Sequence, residues 1–342
     1  MLLTFYRFIN NKSVFADMMT QSKIAIIAII IIIPLVSVIL WSNESTKNLE
    51  TSEDELQVYV SFYPLYETTQ AVIGQKADVK ILTPTNVDPH DFDPSVKVIQ
   101  EMKTADLIIL NGGGFESWIS NMEFESGQLL DSSNGISFLK TESVDHHEIP
   151  EEEHEENEEH EENEEHEEHQ VVSDPHIWLN PNLVKIQVKN IAERLSKIDP
   201  ENSKSYNENA SQYIEKLELL DLQIREELSS CSKKDFITYH NAFSYFSNEY
   251  GLTQHTITKG VHDHSQPTAK SIEGIIDLAK KLDIKVIFTE DTSDIRISQV
   301  IADEIGADVL TLSPIATQDK ENKNYFERMQ QNTANLKEEL CN

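Results

Sequence analysis

Only two cysteines, Cys231 and Cys341, occur in 342 residues. That scarcity excludes a disulfide framework, a cysteine-rich zinc module and an iron–sulfur cluster. Glycine is sparse, with 10 residues, and no Gly-x-x-x-x-Gly-Lys-Ser/Thr loop is present to cradle a nucleotide phosphate. Positive charge is also scarce: 28 Lys and Arg stand against 60 Asp and Glu, a net charge of −32. A nucleic-acid partner is thereby excluded, because phosphate recognition needs clustered cations. His-Glu-x-x-His and Gly-x-Ser-x-Gly are missing too, which speaks against a metalloprotease or a serine hydrolase.

What is present is a chain of two-lobe length with 39% hydrophobic residues, enough to bury sizeable cores. Residues 24–40 form an uncharged apolar run, which as a helix spans roughly 26 Å. Arg7, Lys12 and Lys23 precede it, so residues 1–23 are expected to stay cytoplasmic and everything after Trp41 to lie outside. No Ala-x-Ala cleavage site follows, so we read 24–41 as a transmembrane anchor, with a cleaved signal segment and secretion as the alternative. Residues 42–55 are polar and aperiodic and read as a tether. In an oxidising exterior Cys231 and Cys341 could pair, or remain two separate small apolar residues; their spacing does not choose.

From residue 56 onward the pattern predicts an α/β protein. Strands over 57–62, 79–82 and 106–110 alternate with helices over 64–73 and 96–102. A second unit repeats the alternation: strands at 236–240, 253–258, 286–289 and 308–312, and helices at 241–249, 268–281, 295–305 and 321–340. Such alternation implies two lobes, each a mostly parallel sheet flanked by helices. Between them Tyr206, Ala210, Tyr213, Leu217, Leu220, Ile224 and Leu228 recur every three or four residues, as one face of a long helix requires. The expected organisation is a lobe over 56–200, a rigid linking helix over 201–231 and a second lobe over 232–342.

Three of twelve histidines have distinctive settings. His90 lies in Asp88-Pro-His90 after the strand at 79–82, His176 in Asp174-Pro-His176, and His240 at the end of the strand at 236–240. Proline restricts the backbone on both sides of its peptide bond, so the repeated Asp-Pro-His presents imidazole rigidly. Neutral imidazoles held this way suit a divalent transition ion.

The residues then acquire a context. The segments SFYPLYE (61–67), VDPHDFDPS (87–95), ADLIILNGGGFESW (105–118), DPHIWLNP (174–181), YHNAFSYF (239–246), QPTAKSI (266–272) and VIFTE (286–290) stand in fixed order. Together they resemble the metal-binding receptors of ABC importers for zinc and manganese, the cluster A-I solute-binding proteins. The resemblance implies two α/β lobes joined by one long helix, with the ion in the cleft between them. It carries three histidine ligands onto His90, His176 and His240. A carboxylate fourth ligand falls in the segment after VIFTE, where Asp294 is the choice and Glu290 and Asp291 are competitors. Manganese-selective members tend to have glutamate in place of His240, so the resemblance favours Zn2+, with Mn2+ as the alternative. It further implies a monomeric, non-enzymatic receptor that serves an ABC permease with a separate ATPase subunit. Some relatives were first described as surface adhesins, which adds cell adhesion to the expected roles.

Residues 142–169 hold sixteen Asp and Glu and no Lys or Arg, half of the net charge of the whole chain. After Ile149 and Pro150 the stretch has no apolar residue, and composition predicts a disordered insert (142–170) within the first lobe. His154, His160 and His166 recur in a six-residue repeat and His169 closes it. We read these as accessory metal-capture groups that raise the local zinc concentration. His262 and His264 form a further His-x-His pair beside Asp263, read as an exposed loop. His255 has no partner identifiable from sequence.

Overall fold

The structure, a computed structural model, describes residues 56–85, 87–143, 170–258, 267–291 and 295–342. The apolar run at 24–41, the repeats with His154, His160, His166 and His169, the pair His262 and His264, and Asp294 lie outside the described residues. Among the described residues no helix is long and apolar enough to cross a membrane.

The first lobe is built on β1 (Val58–Val60), β2 (Val79–Ile81), β3 (Leu107–Leu110) and β4 (Leu129–Asp131), all parallel in the order β2-β1-β3-β4. Helix α1 (Tyr63–Ile73) crosses from β1 to β2, and α2 (Val96–Lys103) crosses from β2 to β3. A two-stranded antiparallel ribbon follows, β5 (Lys140–Ser143) against β6 (Gln170–Ser173), with Lys140 opposite Ser173. Residues 142, 143 and 170, expected within the disordered insert, are strand residues of this ribbon, because Glu142 pairs with Val171 and Ser143 with Gln170. Past Ser173 the ribbon leads into Asp174 and His176. Helix α3 (Pro181–Ile198) comes next, and α4 (Ser203–Ser229) follows after one short turn.

The second lobe contains β7 (Asp235–Thr238), β8 (Thr253–Thr256), β9 (Val286–Thr289) and β10 (Asp308–Thr311) in the order β10-β9-β7-β8, again parallel. Helices α5 (Ser244–Tyr250), α6 (Ala269–Leu282), α7 (Ile295–Ile305) and α8 (Tyr325–Leu340) flank it. Burial on both faces explains why the central strands β1, β3 and β9 read as unbroken apolar runs, while the edge strands β2, β4, β8 and β10 carry exposed residues. Val58, Val60, Phe236 and Phe288 point into one core that runs through both lobes. The alternate residue Tyr59 belongs to a separate core of the first lobe, and Ile237 and Ile287 belong to one of the second. That is the two-residue period of a strand.

Helix α4 buries all seven residues of its predicted stripe in the shared core. Its 27 residues span about 40 Å, and α3 packs along it. Helix α3 was not anticipated as an element, although Asn180 caps it, Pro181 opens it, and Val184, Val188, Ile191 and Leu195 line its buried face. Helix α8 starts at Tyr325 rather than 321, because Asn324 and Glu327 close a capping box there. Cys231, just past α4, is disulfide-bonded to Cys341, just past α8, closing the question their spacing left open.

Direct bonds join the lobes. The Trp178 indole N–H donates to the carbonyl of Pro314 (2.7 Å), and the Tyr325 hydroxyl donates to the carbonyl of Trp178 (2.8 Å). Glu67, on α1, accepts the backbone N–H of Tyr325 (2.6 Å) at the start of α8.

Candidate metal centre

Each Asp-Pro-His segment folds the same way. The Asp88 carboxylate accepts the backbone N–H of His90 (2.9 Å), and the Asp174 carboxylate accepts that of His176 (3.0 Å). A short acidic side chain bonding the backbone two residues on makes a tight turn, and proline between them pre-sets its φ. The His176 turn is held from outside as well. Asn111, directly after β3, donates its amide to the carbonyl of Pro175 (2.8 Å). Tyr245, on α5 of the other lobe, donates its hydroxyl to the carbonyl of Asp174 (2.7 Å) and accepts the N–H of Leu139 (2.9 Å).

His240 is held differently. Strand β7 ends at Thr238, two residues earlier than expected, and His240 sits in the loop before α5. Glu290 follows β9, the neighbour of β7, so the two loops emerge side by side at the carboxyl ends of the strands. Between β7 and β9 the chain reverses its direction of progress across the sheet, and loops at such a switch point form ligand crevices in open α/β sheets. The Glu290 carboxylate accepts the backbone N–H of His240 (3.0 Å) and lies 2.7 Å from its Nδ1 through either oxygen.

The three rings converge. The Nε2 atoms of His90 and His176 are 3.1 Å apart and those of His176 and His240 are 3.4 Å apart. One ligand nitrogen from each ring lies within 4.8 Å of the others, with His176 and His240 buried and His90 partly so. Ligands about 2.05 Å from a tetrahedral ion sit about 3.3 Å from one another, so the spacing suits one small cation. The enclosed space measures about 10 Å³ and is lined by these rings with Asp88, Trp178, Asp291, Pro314, Ala316 and Thr317. That is the volume of roughly one water, room for a single small ion at the centre of the three rings.

Electrostatics divides the rings. Burial pushes the His176 pKa down, and this outweighs its hydrogen bond to Asp174 (Nδ1 to Oδ1, 2.8 Å). Burial also acts downward on His240, but the Glu290 charge and hydrogen bond, helped by Asp88 and Asp174, prevail and hold its pKa above the ordinary value. In both rings a carboxylate stands at Nδ1, which turns Nε2 toward the centre. A buried carboxyl also stands behind the glycine turn after β3. Glu116 accepts Ser61 Oγ (2.6 Å), Asn111 N (2.7 Å) and Gly112 N (3.1 Å), and burial pushes its pKa up to about 7.

The sequence-predicted residues therefore separate. His90, His176 and His240 come together. Glu290, a competitor for the fourth ligand, sits behind His240 rather than beside the three Nε2 atoms. Asp291 lines the pocket but is ion-paired with Arg328 (2.6 Å). His255 has a partner after all: its Nε2 lies 2.8 Å from Asp235 Oδ1, across β8 and β7. Sequence reasoning missed the orienting roles of Asp174 and Glu290, and the supports Asn111, Tyr245 and Arg328. The repeated Asp-Pro-His carried a signal for Asp174, and Glu290 stood among the candidate ligands only as a competitor for the fourth position.

A model of the family described as zinc-uptake complex component A, periplasmic, matches residues 58–339. The high-affinity zinc uptake system protein ZnuA of Bacillus subtilis is 38% identical over 307 residues, which cover 87% of this chain and 92% of that protein. The zinc-binding protein AdcA of Streptococcus pyogenes is 33% identical over 319 residues, covering 90% of this chain but only 61% of the relative. Among solved structures, the laminin-binding protein Lmb of Streptococcus agalactiae, described as bifunctional with adhesin and metal-transporting activity, superposes with a TM-score of 0.70. It is 27% identical, and the match covers 83% of this chain and 99% of that one.

Proposed function

Because the chain belongs to the family of the periplasmic component A of zinc-uptake complexes, we propose that it is the extracytoplasmic receptor that captures Zn2+ and passes it to an ABC permease with a separate ATPase subunit. The observation that carries this reading is the convergence of three imidazole Nε2 atoms drawn from both lobes, two of them oriented by buried carboxylates. The ion is cargo, so the site needs selective capture and release rather than turnover.

His90, His176 and His240 would supply three nitrogens to the ion. Asp174 and Glu290 would take up the Nδ1 protons and the positive charge that the rings share with the metal. Asp294 is proposed as the fourth ligand. The acidic repeats with His154, His160, His166 and His169 are proposed to gather zinc beside the cleft. The run at 24–41 would anchor the chain, as a monomer, on the outer face of the membrane.

Calorimetry in competition with a chelator tests the proposal. One tight zinc per chain is expected, retained when residues 145–169 are deleted and weakened at least about tenfold by His240→Ala. Tight binding that survives His240→Ala unchanged would overturn the site. The likeness to Lmb favours one second reading, an adhesin, which binding of this chain to immobilised laminin would test.

A further inference from the structure

The histidine pocket adjoins a much larger crevice of about 1280 Å³, open to solvent. Three residues line both spaces: Asp88, Asp291 and Thr317. They lie where the two spaces meet, between the open crevice and the imidazoles. Asp88 comes from the first lobe and is fixed by its turn with His90. Asp291 and Thr317 come from the second lobe, in the loops that follow β9 and β10, where no sheet or helix bonds hold them.

One buried side chain reaches both. Arg328, on the first turn of α8, donates Nη1–H to the carbonyl of Thr317 (2.5 Å) and Nη2–H to Asp291 Oδ2 (2.6 Å) and to Ser313 Oγ (2.5 Å). Ser313 Oγ also donates to Asp291 Oδ2. The Arg328 side chain is 4% exposed and that of Asp291 33%, so the charge-assisted bonds are made from a buried arginine to a carboxylate at the edge of the crevice. The segment it grips requires holding. Ile315, buried between Ser313 and Thr317, has φ +57°, a left-handed conformation that a β-branched side chain disfavours. A planar fork with several fixed donors can pin two loops at once, which a single ammonium cannot.

We propose that Arg328 is a positioning residue for ion capture: by pinning Asp291 and Thr317 opposite Asp88, it sets the width of the passage and hence the rates at which Zn2+ enters and leaves. It touches neither the ion nor the histidines. Its loss changes exchange kinetics while the imidazole set, and so the equilibrium affinity, is preserved.

The assignment rests on the zinc reading, and the two fail separately. Equilibrium zinc binding by the unmodified chain tests the reading itself; rates in variants test the passage. Stopped-flow association and chelator-driven dissociation of Zn2+ are measured on the full chain and on Arg328→Lys, Arg328→Gln and Ser313→Ala. Arg328→Lys keeps the charge and loses the fork, and Ser313→Ala removes one acceptor without altering charge, so at least one variant is expected to fold. Both rate constants should rise together by about tenfold in Arg328→Lys and by less in Ser313→Ala, with Kd held within about threefold. Unchanged rates, or faster dissociation alone with a matching loss of affinity, would overturn the proposal. A rate increase confined to Arg328→Gln would overturn it in favour of charge steering.

Discussion

His240 and Glu290 stand 50 residues apart in the chain, yet the imidazole Nδ1 of one lies 2.7 Å from each carboxylate oxygen of the other. Adjacency of β7 and β9 brings them together, because parallel strands deliver their next residues to the same edge of the sheet. Glu290→Gln would keep the shape and remove the charge that orients and enriches the ring. Zinc affinity is expected to fall about 10–100-fold, as for other partners of metal-bound histidines. An affinity within twofold of the unmodified chain in competition calorimetry would show that Glu290 does not support His240.

Proton competition follows from the same pair. His240 has its pKa raised above the ordinary histidine value, so its proton persists to higher pH and must leave before Nε2 can bind. Zinc affinity should therefore rise with pH through that raised pKa and level off above it. In Glu290→Gln the levelling should occur at lower pH. Calorimetric titrations in several buffers between about pH 5.5 and 8.5 would check the curve and count the protons released.

Glu116 makes a separate prediction about stability. Its folded pKa of about 7 lies above the ordinary 4.5. Over that window the folded state binds a proton that the unfolded state has released, so stability falls as pH rises. The loss is on the order of 3 kcal/mol. Urea midpoints for the unmodified chain and Glu116→Gln, compared between pH 4.5 and 7.5, should converge at the acid end and diverge toward neutrality. Parallel curves would assign the slope to other carboxyls.

The bond between Cys231 and Cys341 closes a span of 110 residues and ties the ends of α4 and α8. Cys341→Ser should lower the unfolding free energy by about 2–5 kcal/mol in oxidising buffer. A reductant should lower the unmodified chain similarly and leave the variant unchanged. Equal midpoints of the two proteins without reductant would sink this prediction.

Much of the architecture was readable before any coordinates. Apolar runs such as LIIL and VIFT marked doubly covered strands, and the seven-residue stripe marked α4, because period and burial are local consequences of composition. The Asp-Pro-His turns were legible for the same reason, since each closes within three residues. Helix α3 was legible by the same rule and went unread: Asn180-Pro181 marks its start, and Val184, Val188, Ile191 and Leu195 recur at helical spacing; only its packing on α4 needed the tertiary structure.

The sequence by itself determined which residues could bind a metal and most of the strands and helices, though not α3 or the strands β4, β5 and β6. Only the tertiary structure decided that Glu290 stands behind His240, that Asp291 belongs to Arg328, that His255 meets Asp235 and that the two cysteines pair. Each of these joins residues 20 to 110 positions apart, through strand order and helix packing. Local chemistry selects the groups, but which of them meet depends on how the sheet edges and helix ends are brought into register.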